Sequence, residues 1–449
     1  MNARSRGQTR ATTRLAPTSR RCRHVLVLVL GLTVLTELAA ACGAAVGGAG
    51  DTAGSGSGDV ARVRPSARPA IEAAFTRESY RPGAAARLRF YSRARGVTLQ
   101  VFRAGTETGR IAPSDEMRGE PVGPVRQLGA VRSGRVVWIR VQRLWESGFY
   151  FARLTGAGGK VGYAPFVVRP RRLGEHRVAV VLPTLTWQAY NFRDDDGDGD
   201  EDTWYADPAR ERSVLLGRPY ENRGVPPHYK HYDQPFLRWL YQTGRDTDYL
   251  AQADLEATNG RTLARAYDAL FFPGHHEYVT AREYDVVERY RDLGGSLAFL
   301  SANNFYWRVD RRGSRIERIR HWRALGRPEA ALVGVQYVDH GDRRAPWIVH
   351  SRRAAPWLFS GLTLRRGASF SSGGIEVDML APSSPRGTRL IAEIPHLFGP
   401  GVGAQMTYYE TTSGAKVFAA GAFTLAGSVW QPIVDRLMEN LWARLAPDA

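Results

Sequence analysis

Apolar and polar side chains take turns over short runs in residues 60–170, at Arg87–Tyr91, Val97–Phe102, Val136–Val141, Gly148–Leu154 and Tyr163–Val168. A period of two puts one face of a strand in a core and the other in water. Pro82-Gly83 and the glycines between 156 and 159 punctuate the runs, and no helical period competes. This pattern predicts an antiparallel β-sandwich. From Arg177 the grammar changes. Val178–Leu182 and Tyr267–Phe272 are apolar throughout, as strands buried on both faces are. Thr280 is a plausible N-cap for a helix with Tyr284, Val287 and Tyr290 on one face and Gly294-Gly295 as its stop. Ser296–Ser301 gives the next strand, so the segment reads as a βαβ unit of a parallel α/β sheet. Lys416–Ala420 predicts a further strand, and Val434, Leu437, Leu441 and Leu445 line one face of a terminal helix.

The amino terminus has a different character. Arginines from Arg4 to Arg23 lead into the apolar stretch Val25–Leu35, shorter than the roughly 20 residues of a membrane-spanning helix, and Ala39-Ala40-Ala41 follow. Residues 1–41 are therefore expected to be a signal peptide, with Ser19-Arg20-Arg21 similar to a twin-arginine export signal. Cys42 follows in a lipobox-like setting, which predicts lipidation there and attachment to a membrane. Residues 42–59 are rich in glycine and serine and predict a flexible tether. The expected location is extracellular or at the cell surface.

Composition narrows the chemistry. Of the 2 cysteines, Cys22 lies in the leader and Cys42 at its end, so the folded part has no disulfide and no thiol nucleophile. The net charge of +18 is spread as arginine along the chain without a dense cluster, which argues against nucleic acid as a partner. Ligands of open parallel sheets collect beyond the carboxyl ends of the strands. There, Gly274-His275-His276-Glu277-Tyr278 gathers two imidazoles, a carboxylate and a phenol in one loop, a set suited to a metal or acid/base centre. Separately, Asp194, Asp196 and Asp198 alternate before Gly199, with Asp200 and Asp202 following. Alternating carboxylates with a glycine turn predict a free-standing calcium loop; the helix-loop-helix form is not expected, since Tyr205 stands where its closing glutamate would be.

Several motifs together resemble one family. Gly274–Tyr278, then Gly294–Arg308 with Asn303-Asn304-Phe305-Tyr306-Trp307, Thr186-Trp187-Gln188-Ala189-Tyr190-Asn191 after the first strand, and Ser413–Ala422 near the end are similar to the C-terminal domain of the N,N-dimethylformamidase large subunit. The resemblance implies an α/β fold, a glutamine-amidotransferase-like parallel-sheet domain over 171–449, preceded by an Ig-like antiparallel β-sandwich over 60–170. It also implies an iron held by two tyrosines and a glutamate, and hydrolysis of a small amide. Tyr278 matches one tyrosine ligand and Glu376 the carboxylate. Tyr249 is taken for the second tyrosine, with Tyr232 as the alternative. His275 or His276, with Glu277, would serve acid/base chemistry. Two other functions stay open: a cell-surface binding protein that keeps the fold without the chemistry, and a carbohydrate-related role for which Trp187, Trp204 and Trp307 offer stacking surfaces. A homo-oligomer stays open as the assembly.

Overall fold

Strand order in the large sheet decides where a site can form. The computed structural model describes residues 66–68, 70–108, 113–205 and 211–447; the leader, Cys42 and the tether expected from the sequence lie outside them. A ten-stranded sheet begins with Asp248–Ala251, Val178–Leu182, Ala269–Phe272, Ser296–Phe299 and Lys416–Ala419, all parallel. It continues through Val402–Glu410, Arg389–Gly399, Gln336–Val349, Ser369–Met379 and Ala422–Phe423, all antiparallel. The expected parallel sheet is thus one part of a mixed one. The connections explain the change, because Gln336–Glu410 contains no α-helix to carry a crossover and its strands return as hairpins.

Val178–Leu182 shows why the run is apolar at every position. Val178, Val180 and Leu182 enter one hydrophobic cluster, with the helices Gln234–Gln242 and Pro432–Leu445. Ala179 and Val181 enter another, with Gly260–Ala266 and Ala281–Asp292. Both faces are covered, so alternation has no polar side to show. Thr280 caps the helix Ala281–Asp292 by accepting the Glu283 N–H at 3.2 Å, and Gly294, at φ 97°, ends it.

The amino-terminal strands form two sheets over one core. Leu88, Phe90 and Val137 come from a three-stranded sheet; Val97, Leu154 and Phe166 come from a six-stranded one. One edge departs from the antiparallel expectation: Ser79–Tyr80 pairs parallel with Val167–Val168, because the chain switches sheets after Phe75 and meets that edge running the same way. Phe149 and Phe151 point to the outer face and join the cluster of Val178 and Val180, so sandwich and α/β sheet share a core. Among the described residues, no helix is long and apolar enough to cross a membrane.

Candidate functional site

After Phe272 the chain leaves the carboxyl edge of the sheet at Pro273-Gly274 and turns through His275–Glu277. Backbone bonds stitch this turn to the loop beyond the next parallel strand. Phe305 N–H donates to the His276 carbonyl at 2.7 Å, and Trp307 N–H to that of Glu277 at 2.9 Å. Ser301 Oγ donates to the Gly274 carbonyl at 2.6 Å. Glycine is required at 274 by packing, since a Cβ there would lie 2.1 Å from Asp233 Oδ1.

Glu376 reaches the same place from the antiparallel half. Its strand bulges against Gln336–Val349 between the pairs His340–Glu376 and Arg344–Gly374, with Ile375 at φ 70°. Positive φ strains a residue that carries a side chain, and such residues gather at functional sites. Asn303 at 52°, Phe305 at 59°, His228 at 57° and Thr424 at 81° lie in the other segments that meet here.

His275 Nε2 stands 3.4 Å from Glu376 Oε2 and 3.6 Å from Glu277 Oε2, all three side chains being nearly closed to solvent. The Tyr190 hydroxyl donates to Glu277 Oε2, and the Tyr190 ring meets those of His275 and Tyr278 edge-on at 5.3 and 5.9 Å. Trp204 covers Tyr278 at 4.9 Å. Burial alone would discharge every one of these groups. It disfavours the His275 imidazolium, yet Glu376, then Glu277 and Asp378, outweigh it and raise that pKa. It also opposes the Glu376 anion, but His275 and Asn303 hold Glu376 below the usual carboxylate range. Glu277 is pushed up to about 7 by burial, against the pull of His275. Asp378, buried and accepting the Asn303 N–H at 2.8 Å, is pushed up to about 8. Burial raises Tyr190 and Tyr278 well above the ordinary phenol, with Glu277 as the next cause for both.

The two adjacent histidines are thereby separated in role. His275 faces both carboxylates; His276 turns into the core against Phe272, 4.9 Å between centroids, and burial pushes it down to about 3. The structure does not bring Tyr249 to this group. Its strand is outermost in the parallel half, with Val178–Leu182 between it and the loop, and its backbone N–H bonds Ser147 Oγ of the sandwich at 2.7 Å. Tyr232, the alternative, comes closer to the group: it packs in one cluster with Ile375, the neighbour of Glu376, and with Phe423, on which its ring stacks at 4.5 Å while Phe423 meets His275 at 4.8 Å.

The acidic loop is a separate feature. Ligand oxygens of Asp194, Asp196 and Asp202 lie within 4.8 Å of one another; Asp198 and Asp200 are not in that set. Asp194 accepts the N–H groups of Gly197 at 2.7 Å and Gly199 at 3.1 Å, and Asp195 instead pairs with the fully buried Arg218 at 2.6 Å.

The family described as "N,N-dimethylformamidase beta subunit-like, C-terminal" matches residues 135–433. The chain belongs to this family. Among curated proteins it is 25% identical over 306 residues to the N,N-dimethylformamidase beta subunit of Paracoccus aminophilus, covering 53% of this chain and 40% of that one. It is 26% identical over 284 residues to the N,N-dimethylformamidase beta subunit of Alcaligenes sp, covering 48% and 37%. It therefore spans about two fifths of these relatives' length. A superoxide reductase from Ignicoccus hospitalis is similar at 14% identity and a TM-score of 0.15, over 23% of this chain and 80% of that one.

The iron that the resemblance implies would take phenol and carboxylate oxygens, which are hard ligands; of these, Glu376 Oε2 is buried and faces His275 Nε2 at 3.4 Å. Sequence reasoning assigned no role to Tyr190 and Asn303, although both stand in the segments 186–191 and 294–308 that resemble the family. Their signal is a contact across two loops, which spacing does not carry.

Proposed function

We propose that this chain is an exported, lipid-anchored amidohydrolase that uses iron held by Tyr278, Tyr232 and Glu376 to hydrolyse the C–N bond of a small amide. One observation supports the reading: within the family-matched region, the buried Glu376 carboxylate lies 3.4 Å from His275, with a second carboxylate and several phenols around them. Bound ferric iron would supply Lewis-acid polarisation of the amide carbonyl. The chain's own groups do the rest. Glu277, oriented by Tyr190, takes the proton of the attacking water; His275, held in its charged form by Glu376, gives a proton to the departing amine. Asn303, tied by its backbone N–H to Asp378, bonds both Glu277 and Glu376 through its side chain. Acid and amine leave as products, and the proton count closes.

We also assign calcium to Asp194, Asp196 and Asp202, a binding function distinct from the catalysis. The anchor is Cys42, whose lipid would appear as a mass increment on the exported protein. The deciding experiment is elemental analysis of the exported protein purified without a metal-chelating tag, paired with assays on short amides. Iron near one equivalent, lost together with turnover in Tyr278→Phe and Glu376→Gln, is the expected result. A folded protein that carries no iron and turns over no amide is a surface binding protein instead.

A further inference from the structure

A cavity of about 10 Å³ touches His275, Tyr232 and Asp233. That is room for about one water. A second cavity, about 30 Å³, adjoins it and has the exposed His231 in its lining. The two share three wall residues, Tyr190, Pro227 and His228. Pro227 is fixed by its ring, and Tyr190 is tied to Glu277 through its hydroxyl. His228 sits at φ 57°, a left-handed conformation that a histidine adopts at a cost, and its ring stacks on Tyr232 at 5.2 Å and 20°. The surroundings thus hold a strained residue over a phenol that lines the inner cavity.

We propose that His228 is the partition between an outer vestibule and the inner chamber, and that its side chain sets the size of the molecule that reaches His275 and Tyr232. For the size of substrate the inference rests on the amidohydrolase reading; for the partition it does not. Two features favour it. An inner cavity that admits one water cannot seat an amide until a wall retracts. Of the three shared walls, His228 is the one whose truncation leaves the Tyr190–Glu277 bond and the proline turn in place.

The backbone also supplies a variant that keeps the fold. Glycine adopts positive φ freely, so His228→Gly removes the ring and relieves the backbone strain together, which offsets part of the stacking on Tyr232 that is lost; a cooperative melting transition shows that the variant folds. The first readout is modification by diethylpyrocarbonate, followed residue by residue by peptide mass spectrometry. His275 should react about tenfold faster or more in the variant, because reaction of a closed-in group tracks the opening of its wall. His276, buried away from both cavities, should not change. Equal His275 rates in wild type and a folded variant overturn the proposal. The second readout is kcat/KM for formamide, acetamide and propionamide. One methylene is worth about 10–200-fold in a closed pocket, so the variant should lose most of the wild type's preference for the smallest amide. An unchanged preference overturns the role in specificity. Faster His275 modification with no amide turned over by either protein leaves the partition standing and removes the amidohydrolase reading.

Discussion

Two regions of this chain concentrate carboxylates, and they treat them in opposite ways. Around His275, Glu277 and Asp378 have lost their water; burial pushes them up to about 7 and about 8, and only Glu376 is held low, by its histidine. In the loop 194–202, Asp194 keeps its water and accepts the N–H groups of Gly197 and Gly199, which lower its pKa. Asp202 lies deeper there and burial raises it despite the Asp195 N–H. Charge density alone therefore identifies no chemistry. What differs is whether backbone donors or a desolvated neighbour answers the charge.

The contrast is sharpest at Glu376. Glu376→Ala leaves His275 without its partner in a closed space and should cost about 3–5 kcal/mol by denaturant unfolding, while Asp196→Ala on the exposed loop should cost under about 0.5 kcal/mol. Equal costs would erase the distinction. Acidity gives the next largest effect. Folded Glu277 and Asp378 keep their protons above the range in which the unfolded chain loses them, so the folded state binds more protons and stability falls as pH rises. In metal-free protein the expected loss is about 1 kcal/mol per pH unit for each group, up to about pH 7 for Glu277 and about 8 for Asp378. Asp378→Asn should flatten its share in urea melts across pH 5–8. Asp194 has the opposite sign: its stabilising contribution is present at neutral pH and lost as pH falls through its lowered folded pKa. Gly274→Ala should cost about 1–3 kcal/mol by driving a methyl group into the Asp233 carboxyl; an unchanged melting temperature would show that the loop yields. Smallest is calcium, which at millimolar concentration should stabilise the protein by about 1 kcal/mol. Asp202→Asn should abolish that shift.

Local readings of the chain fared well where one element makes its own case. The strand at 269–272, the capped helix at 281–292 and the helix at 432–445 were legible because periodicity and capping are properties of consecutive residues. The antiparallel half of the large sheet was not, since bulges such as the one at Ile375 break the alternation of Ser369–Met379. At the site, His275, Glu277 and Tyr278 stand in one loop and could be read together. His276 could not be told from His275 until one ring was seen to enter the core.

By itself the sequence determined the strands at 178–182, 269–272, 296–299 and 416–419 and the helices at 281–292 and 432–445, that 274–278 lies at a sheet's carboxyl edge, and that no cysteine follows position 42. These follow from side-chain patterns within short reach of one another. Only the tertiary structure decided that Tyr232 rather than Tyr249 packs with Ile375, the neighbour of Glu376, that Tyr190 bonds Glu277, and that Asp194, Asp196 and Asp202 form one set. Each joins residues far apart in sequence or across a turn, and their nearness depends on the order in which strands pair, which no local pattern encodes.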